Sequence, residues 1–193
     1  MGRRLRLFSE GVSVHVYNRG NDRMAIFRED VDRLSFLGIV KRAFGYNRVA
    51  PHNFVLMTTH YHIIATPSAD GALPAAMKEI GERYTHFYNQ KYERTGTIWD
   101  GRYHGRPISD ERYALICARY IEQNPLRAGI IDTLEAYQWC SYRALALGQT
   151  SDWLVPHPTY LALGQTDEER QEAYRAMCSE PVPGDALVNL RRR

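Results

Sequence analysis

Cysteine is scarce in this 193-residue chain: Cys117, Cys140 and Cys178 are its only three, and no two form a C-x-x-C pair. That excludes a disulfide framework and a cysteine zinc cage, and it points to a reducing, cytoplasmic setting. Long apolar runs are missing too. None approaches the roughly 18 residues of a membrane span. Met1 leads into GRRLRLFSEG, which is basic but lacks the apolar stretch of a signal peptide. No membrane partner is expected. No G-x-x-x-x-G-K-S/T phosphate loop occurs, so no nucleotide cofactor is expected either. Internal repeats and low-complexity tracts are absent. A large excess of one charge is also absent, with 25 Lys and Arg against 22 Asp and Glu. The basic residues are nonetheless clustered, in GRRLR, in KYERTGTIWDGRYHGRP and in a final RRR. Such clusters suit a polyanion, because each cation near a phosphate releases counterions.

What the chain does have is a 44% hydrophobic composition, enough for one core, or one core with a small appendage. GVSVHVYNRGN alternates and then breaks at Arg19-Gly20-Asn21, the pattern of a strand ending in a turn. Val31, Leu34, Leu37, Val40 and Phe44 follow helical spacing and predict a helix that closes at Gly45. RVAPHNFVLMTTHYHIIATP reads as two strands or one bent strand, and GALPAAMKEIGERYTHFYNQKY as a second amphipathic helix. A loop rich in Gly and Arg follows, with a short strand near residues 106–109. Ser109 or Asp110 can cap a third helix, ERYALICARYIEQ. It should stop before Asn124-Pro125, since a residue preceding proline avoids the helical region. The order predicts an α+β fold, with a ferredoxin-like antiparallel sheet carrying helices on one face.

Inside the β-branched run stand His60 and His62. Side chains alternate along a strand, so both project to one side, one pleat repeat apart. Two neutral imidazoles so placed can reach one divalent cation, although H-x-H is a short motif and two structural histidines at a sheet edge read equally well. A cation needs further donors. Tyr120 and Asn124, four residues apart, fall on one helix face, and Asn124 offers an amide oxygen. Tyr120 reads either as a site phenol or as part of an apolar stripe with Tyr113, Cys117 and Ile121.

Taken together, VYNRGNDRMAIF, FVLMTTHYHIIATP, RYTHFYNQKYERTGTIWDGRYHGRPI, RYIEQNPLRAGII and YQWCSYRALALG resemble the single-tyrosine HUH transposases of the insertion-sequence type. The likeness is greatest to the REP-associated tyrosine transposases and runs from about residue 11 to about residue 164. T-G-T-I/L-W-x-G-R and Y-I-x-x-N-P-x-R-A-G are its most specific blocks. The resemblance implies a bacterial enzyme that nicks and rejoins single-stranded DNA beside hairpins or palindromes. It implies Mg²⁺ or Mn²⁺ held by His60, His62 and Asn124, and Tyr120 as the nucleophile that keeps the 5′ phosphate as a phosphotyrosine. Two positions depart from the family pattern: Thr59 stands where Asn usually precedes the first histidine, and the middle residue is the bulky Tyr61. Neither removes a ligand.

Single-stranded or hairpin DNA is the expected partner, met in the cytoplasm at the nucleoid, by a monomer or a homodimer. Arg94, Arg102 and Arg106 suit phosphates, and Arg19 in the turn after the first strand suits the same role. Trp99 or Tyr103 can stack on an unpaired base. Trp99 also reads as a ring packed under the sheet, and that reading comes first. The expected organisation is a transposase domain over residues 1–145 and a helical extension with a basic tail over 146–193. A two-histidine phosphoesterase is a poor fit, because neither His15-Val16-Tyr17 nor His60-Tyr61-His62 is H-x-S/T. A DNA-binding module that has lost its chemistry is the remaining alternative.

Overall fold

The alternating residues near the start form β1 (Val14–Arg19), and the β-branched run after residue 48 forms two strands, β2 (Val49–Met57) and β3 (His60–Pro67). These elements are seen in a computed structural model that describes residues 8–184. Between β1 and β2 runs α1 (Asp30–Asn47). After β3 come α2 (Ala72–Lys91) and the short β4 (His104–Pro107). The strands lie in the order β2-β3-β1-β4, every neighbouring pair antiparallel, so the β-α-β-β-α-β arrangement is ferredoxin-like as expected. The chain then continues through α3 (Glu111–Glu122), α4 (Asn124–Arg127), α5 (Tyr142–Leu147), α6 (Pro158–Leu161) and α7 (Asp167–Ser179). No helix among the described residues is long and apolar enough to cross a membrane.

Strand alternation sends side chains into two separate cores. Tyr61, Ile63 and Ala65 of β3 join Phe36, Val40, Met77, Ile80 and Tyr84 of α1 and α2. Ile64 on the opposite face joins Val55 of β2, Cys117, Tyr120 and Ile121 of α3, and Tyr174 of α7. The expectation of helices on one face therefore holds for α1 and α2 only. The apolar stripe of α3, Ala114, Cys117, Ala118 and Ile121, needs a surface of its own and takes the far side of the sheet. The division expected at residues 145 and 146 falls within α5, and α5, α6 and α7 all contribute to this second core.

The inward face of α1 also differs from its sequence spacing. Val31 and Leu34 are 52% and 60% exposed, and Asp32, Phe36, Val40 and Phe44 point inward. Asp32 turns the helix, because its carboxylate accepts the backbone N–H groups of Arg28 and Glu29, the Tyr92 hydroxyl and the Lys91 ammonium. The helix also runs through Gly45 and ends at Arg48, whose φ of 54° supplies the left-handed cap.

Two backbone features hold the start of β3 in place. The Thr58 carbonyl accepts from Ile26 and Phe27, and the Thr59 carbonyl from Gly20 at 2.8 Å. Gly20 must be bare, since a Cβ there would lie 2.3 Å from the Met24 carbonyl oxygen. We expect Gly20→Ala to cost about 1–3 kcal/mol as an overpacking defect. Urea unfolding checks this, and a loss under about 0.5 kcal/mol, the scale of an ordinary surface change, would sink it. The free edge of β2 is closed by residues 139–141: Leu56 donates to the Trp139 carbonyl, and Ser141 donates to that of Phe54.

Candidate active site

The register of the sheet assembles the site. His60 and His62 share one face of β3, with ring centroids 5.2 Å apart. Tyr17 of β1 sits directly across from His62, and His104 of β4 directly across from Tyr17. This rung becomes a run of rings, His104 stacked on Tyr17 at 5.0 Å and Tyr17 against His62 at 5.4 Å. On the next rung of that face, His15 lies opposite both Ile64 and Arg106. His15 Nε2 meets His62 Nδ1 at 3.0 Å.

α3 lowers Tyr120 onto this surface. Asp110 caps the helix by accepting the Tyr113 N–H at 2.8 Å. Gln123 keeps a helical backbone between α3 and α4, so Tyr120 and Asn124 remain one turn apart. The Tyr120 ring meets His62 edge-on with centroids 5.5 Å apart, and it lies 6.2 Å from His15. The Asn124 side chain faces the His60 imidazole, whose Nδ1 is 3.1 Å from the Thr59 hydroxyl. The structure thus brings His60, His62, Tyr120 and Asn124 together from one chain.

Burial keeps all three imidazoles neutral. It pushes His15 down to about 3, with help from the Arg106 guanidinium. His62 is held well below its ordinary 6.5 by burial, then by His15, His60 and Arg127. Burial lowers His60 as well; the Asn124 side chain opposes this and Arg19 adds to it. Neutral rings leave lone pairs for a cation. Among the described residues no three His, Cys, Asp or Glu side chains form a metal cage. The donor set is instead two imidazoles and one amide, bordered by guanidinium groups. The Arg127 guanidinium stands over the Tyr120 ring, 4.8 Å from its centroid. This arrangement suits a divalent cation and a phosphate beside a phenol oxygen.

The arginines and aromatics singled out in the sequence separate into two groups. Arg19 and Arg106 border the histidine face, and Arg19 is also paired with Asp100 through Nε at 2.6 Å and Nη2 at 2.5 Å. Arg102, Tyr103 and Trp99 line a cavity of about 930 Å³ between α2 and the loop before β4, on the opposite face. Arg94 reaches the Met24 sulfur and the Tyr88 ring. Trp99 as a DNA-stacking residue is a correction. Only 8% exposed, it packs against Tyr61 and Tyr84 and donates its indole N–H to the Gly81 carbonyl at 3.3 Å. Four residues at the site were not singled out: His15, Tyr17, His104 and Arg127. The shared parity of His15 and Tyr17 on β1 signals the first pair of these, and the two-turn spacing from Tyr120 signals Arg127.

The family model of the IS200-like transposases matches residues 9–124, a span that ends on Asn124 and contains both histidines and Tyr120. No curated protein matches the chain. Among solved structures, a REP-associated tyrosine transposase bound to a REP hairpin aligns over 81% of this chain and 92% of its own, with a TM-score of 0.63 at 18% identity. A candidate transposase of Deinococcus radiodurans R1 aligns over 63% of this chain and 97% of its own, with a TM-score of 0.44 at 15% identity. The first likeness is one of fold, the same four-stranded antiparallel sheet with helices. With the family match covering more than half of its length, the chain belongs to the IS200-like transposases.

Proposed function

We propose that this transposase nicks and rejoins single-stranded DNA beside hairpins through a phosphotyrosine formed on Tyr120, in the cytoplasm and at the nucleoid. The observation that carries the reading is the packing of the Tyr120 ring edge-on to His62, the partner of His60 on one face of β3. His60, His62 and Asn124 are the residues that would hold Mg²⁺ or Mn²⁺. Two neutral nitrogens and one amide oxygen are donors that such a cation accepts. When bound there, the cation would supply positive charge to the scissile phosphate.

The rest is the work of the chain. The Tyr120 phenol loses its proton to solvent, and its oxygen bonds to phosphorus as the bond to the 3′ oxygen breaks. That oxygen takes up a proton and becomes a free 3′ hydroxyl, while the 5′ phosphate stays esterified to Tyr120. Attack by a 3′ hydroxyl reverses the step, so the phosphodiester energy is conserved. Arg127 and Arg106 offset phosphate charge near the reacting atoms. All four central side chains come from one chain, so the reading needs no homodimer.

His15 has a supporting part. For His62 to ligate through Nε2, its Nδ1 must carry the proton and donate to His15 Nε2. We expect His15→Leu to weaken Mn²⁺ binding by about 10–100-fold, the usual cost of losing such a partner, with the fold retained. Calorimetric titration with Mn²⁺ measures this, and unchanged affinity refutes it.

The function itself is tested with the full chain, a labelled library of single-stranded hairpins and Mn²⁺. A covalent protein–DNA band that survives denaturation and disappears with chelator is expected. Hairpin binding without any such band, on a library holding a cleavable site, would favour a DNA-binding module instead.

A further inference from the structure

The last turn of α3 is gripped by the end of α7, a helix lying beyond residues 9–124 of the family match. Gln123, only 5% exposed, donates its amide hydrogens to the carbonyls of Cys178 at 2.7 Å and Glu180 at 2.6 Å. The Cys178 carbonyl is among the last four of α7, which have no partner within their own helix. Gln123 thus caps α7 from outside. Arg119 adds a bond to the Pro181 carbonyl at 3.1 Å and an ion pair with Glu180 at 3.4 Å. On the inner side, Tyr174 of α7 donates to the Glu122 carboxylate at 3.0 Å. That carboxylate also accepts from Asn53 of β2 and from Ser141. Arg119, Glu122 and Gln123 are neighbours in sequence of Tyr120 and Asn124, and each is tied to α7 or to residues 180 and 181.

We propose that α7 braces the nucleophile helix, and that Gln123 and Glu122 are positioning residues that set Tyr120 and Asn124 over the histidine pair. The inference rests on the phosphotyrosine reading for its catalytic consequence. In-line attack tolerates little error, and a displacement of about 1 Å can cost 10²-fold in rate. A turn held on two sides by buried hydrogen bonds meets that demand, whereas a short helix resting on apolar contacts alone slides more easily.

Two full-length variants break the brace from opposite sides. Gln123→Met keeps the shape and removes both donors, and Tyr174→Phe keeps the ring and removes the hydroxyl. At saturating hairpin DNA, each should form adduct about 10–100-fold more slowly, with hairpin affinity within about twofold of wild type. Gln123→Lys restores a donor and should recover most of the rate. Hydrogen exchange supplies a readout independent of chemistry: in both variants the amides of α3 exchange at least about tenfold faster, while those of the sheet and α1 keep their rates. A wild type that forms no adduct overturns the phosphotyrosine reading, and the exchange result then decides the brace alone. Unchanged α3 exchange in both folded variants, or acceleration spread equally over the whole chain, overturns the brace.

Discussion

Tyr120→Phe is expected to abolish the covalent protein–DNA band, lowering its formation by at least about 10³-fold, the scale of losing a nucleophile, and to leave hairpin binding within about twofold. The substitution removes one oxygen from a buried ring. The contacts of that ring with His62, His15 and Arg127 involve its carbon framework, which phenylalanine keeps. Loss of the band then reports chemistry and not folding, and near-ultraviolet circular dichroism of the variant checks this. Other phenols near the sheet are poor substitutes. Tyr113 is pushed up to about 12, first by burial and then by Cys117, and the Tyr17 ring is held between His104 and His62. A band that persists in Tyr120→Phe would refute Tyr120 as the nucleophile.

The largest effect on stability is expected at Asp32. Its carboxylate is fully buried and bound to two backbone amides, the Tyr92 hydroxyl and Lys91. Asp32→Ala should lower the unfolding free energy by about 3 kcal/mol, the low end for breaking a buried pair, because Lys91 can turn toward water. For a chain of this size that corresponds to a fall of about 6–12 °C in Tm. Burial by itself would raise the Asp32 pKa. The hydrogen bonds from Lys91, the Glu29 backbone and Tyr92 outweigh it and hold the group below its ordinary 3.8. A depressed acid contributes stability that is fully present above the unfolded value and is lost as pH falls through the folded one. Wild type should therefore lose stability below about pH 4, an ordinary aspartate's range, more steeply than Asp32→Asn. Parallel urea midpoints for the two proteins from pH 5 to pH 2.5 would refute this.

Local pattern carried much of the fold. Alternation with period two found β1, the β-branched run found β2 and β3 as two strands or one bent strand, and Asp110 marked the start of α3, whereas Asn124-Pro125 did not end the helical course, which passes through Gln123 into α4. Strand alternation placed His60 with His62, and four-residue helical spacing placed Tyr120 with Asn124. Spacing along the chain could not tell that the two pairs meet, since that depends on which sheet face receives α3. His15 was missed for a related reason: β1 must pair with β3 before a lone histidine becomes the neighbour of His62. The face of α1 was misread because the spacing rule assigns inward positions to apolar residues, and Asp32 occupies one. Arg94, Arg102, Arg106 and Trp99 are close in sequence and divide between two faces, because the loop before β4 crosses the sheet edge.

The segment that closes β2 bears on how copies of this chain can meet. An exposed strand is a template for another backbone, and pairing along it is the usual route to continuous intermolecular sheets and to aggregates. Here the Trp139 carbonyl and the Ser141 amide already occupy the places on β2 that an incoming strand would use. Among the described residues the opposite border is β4, four residues long and ending in Pro107, which has no N–H to give. The sheet is therefore self-terminating on one side and too short to extend far on the other, a property that favours solubility at the concentrations reached during synthesis.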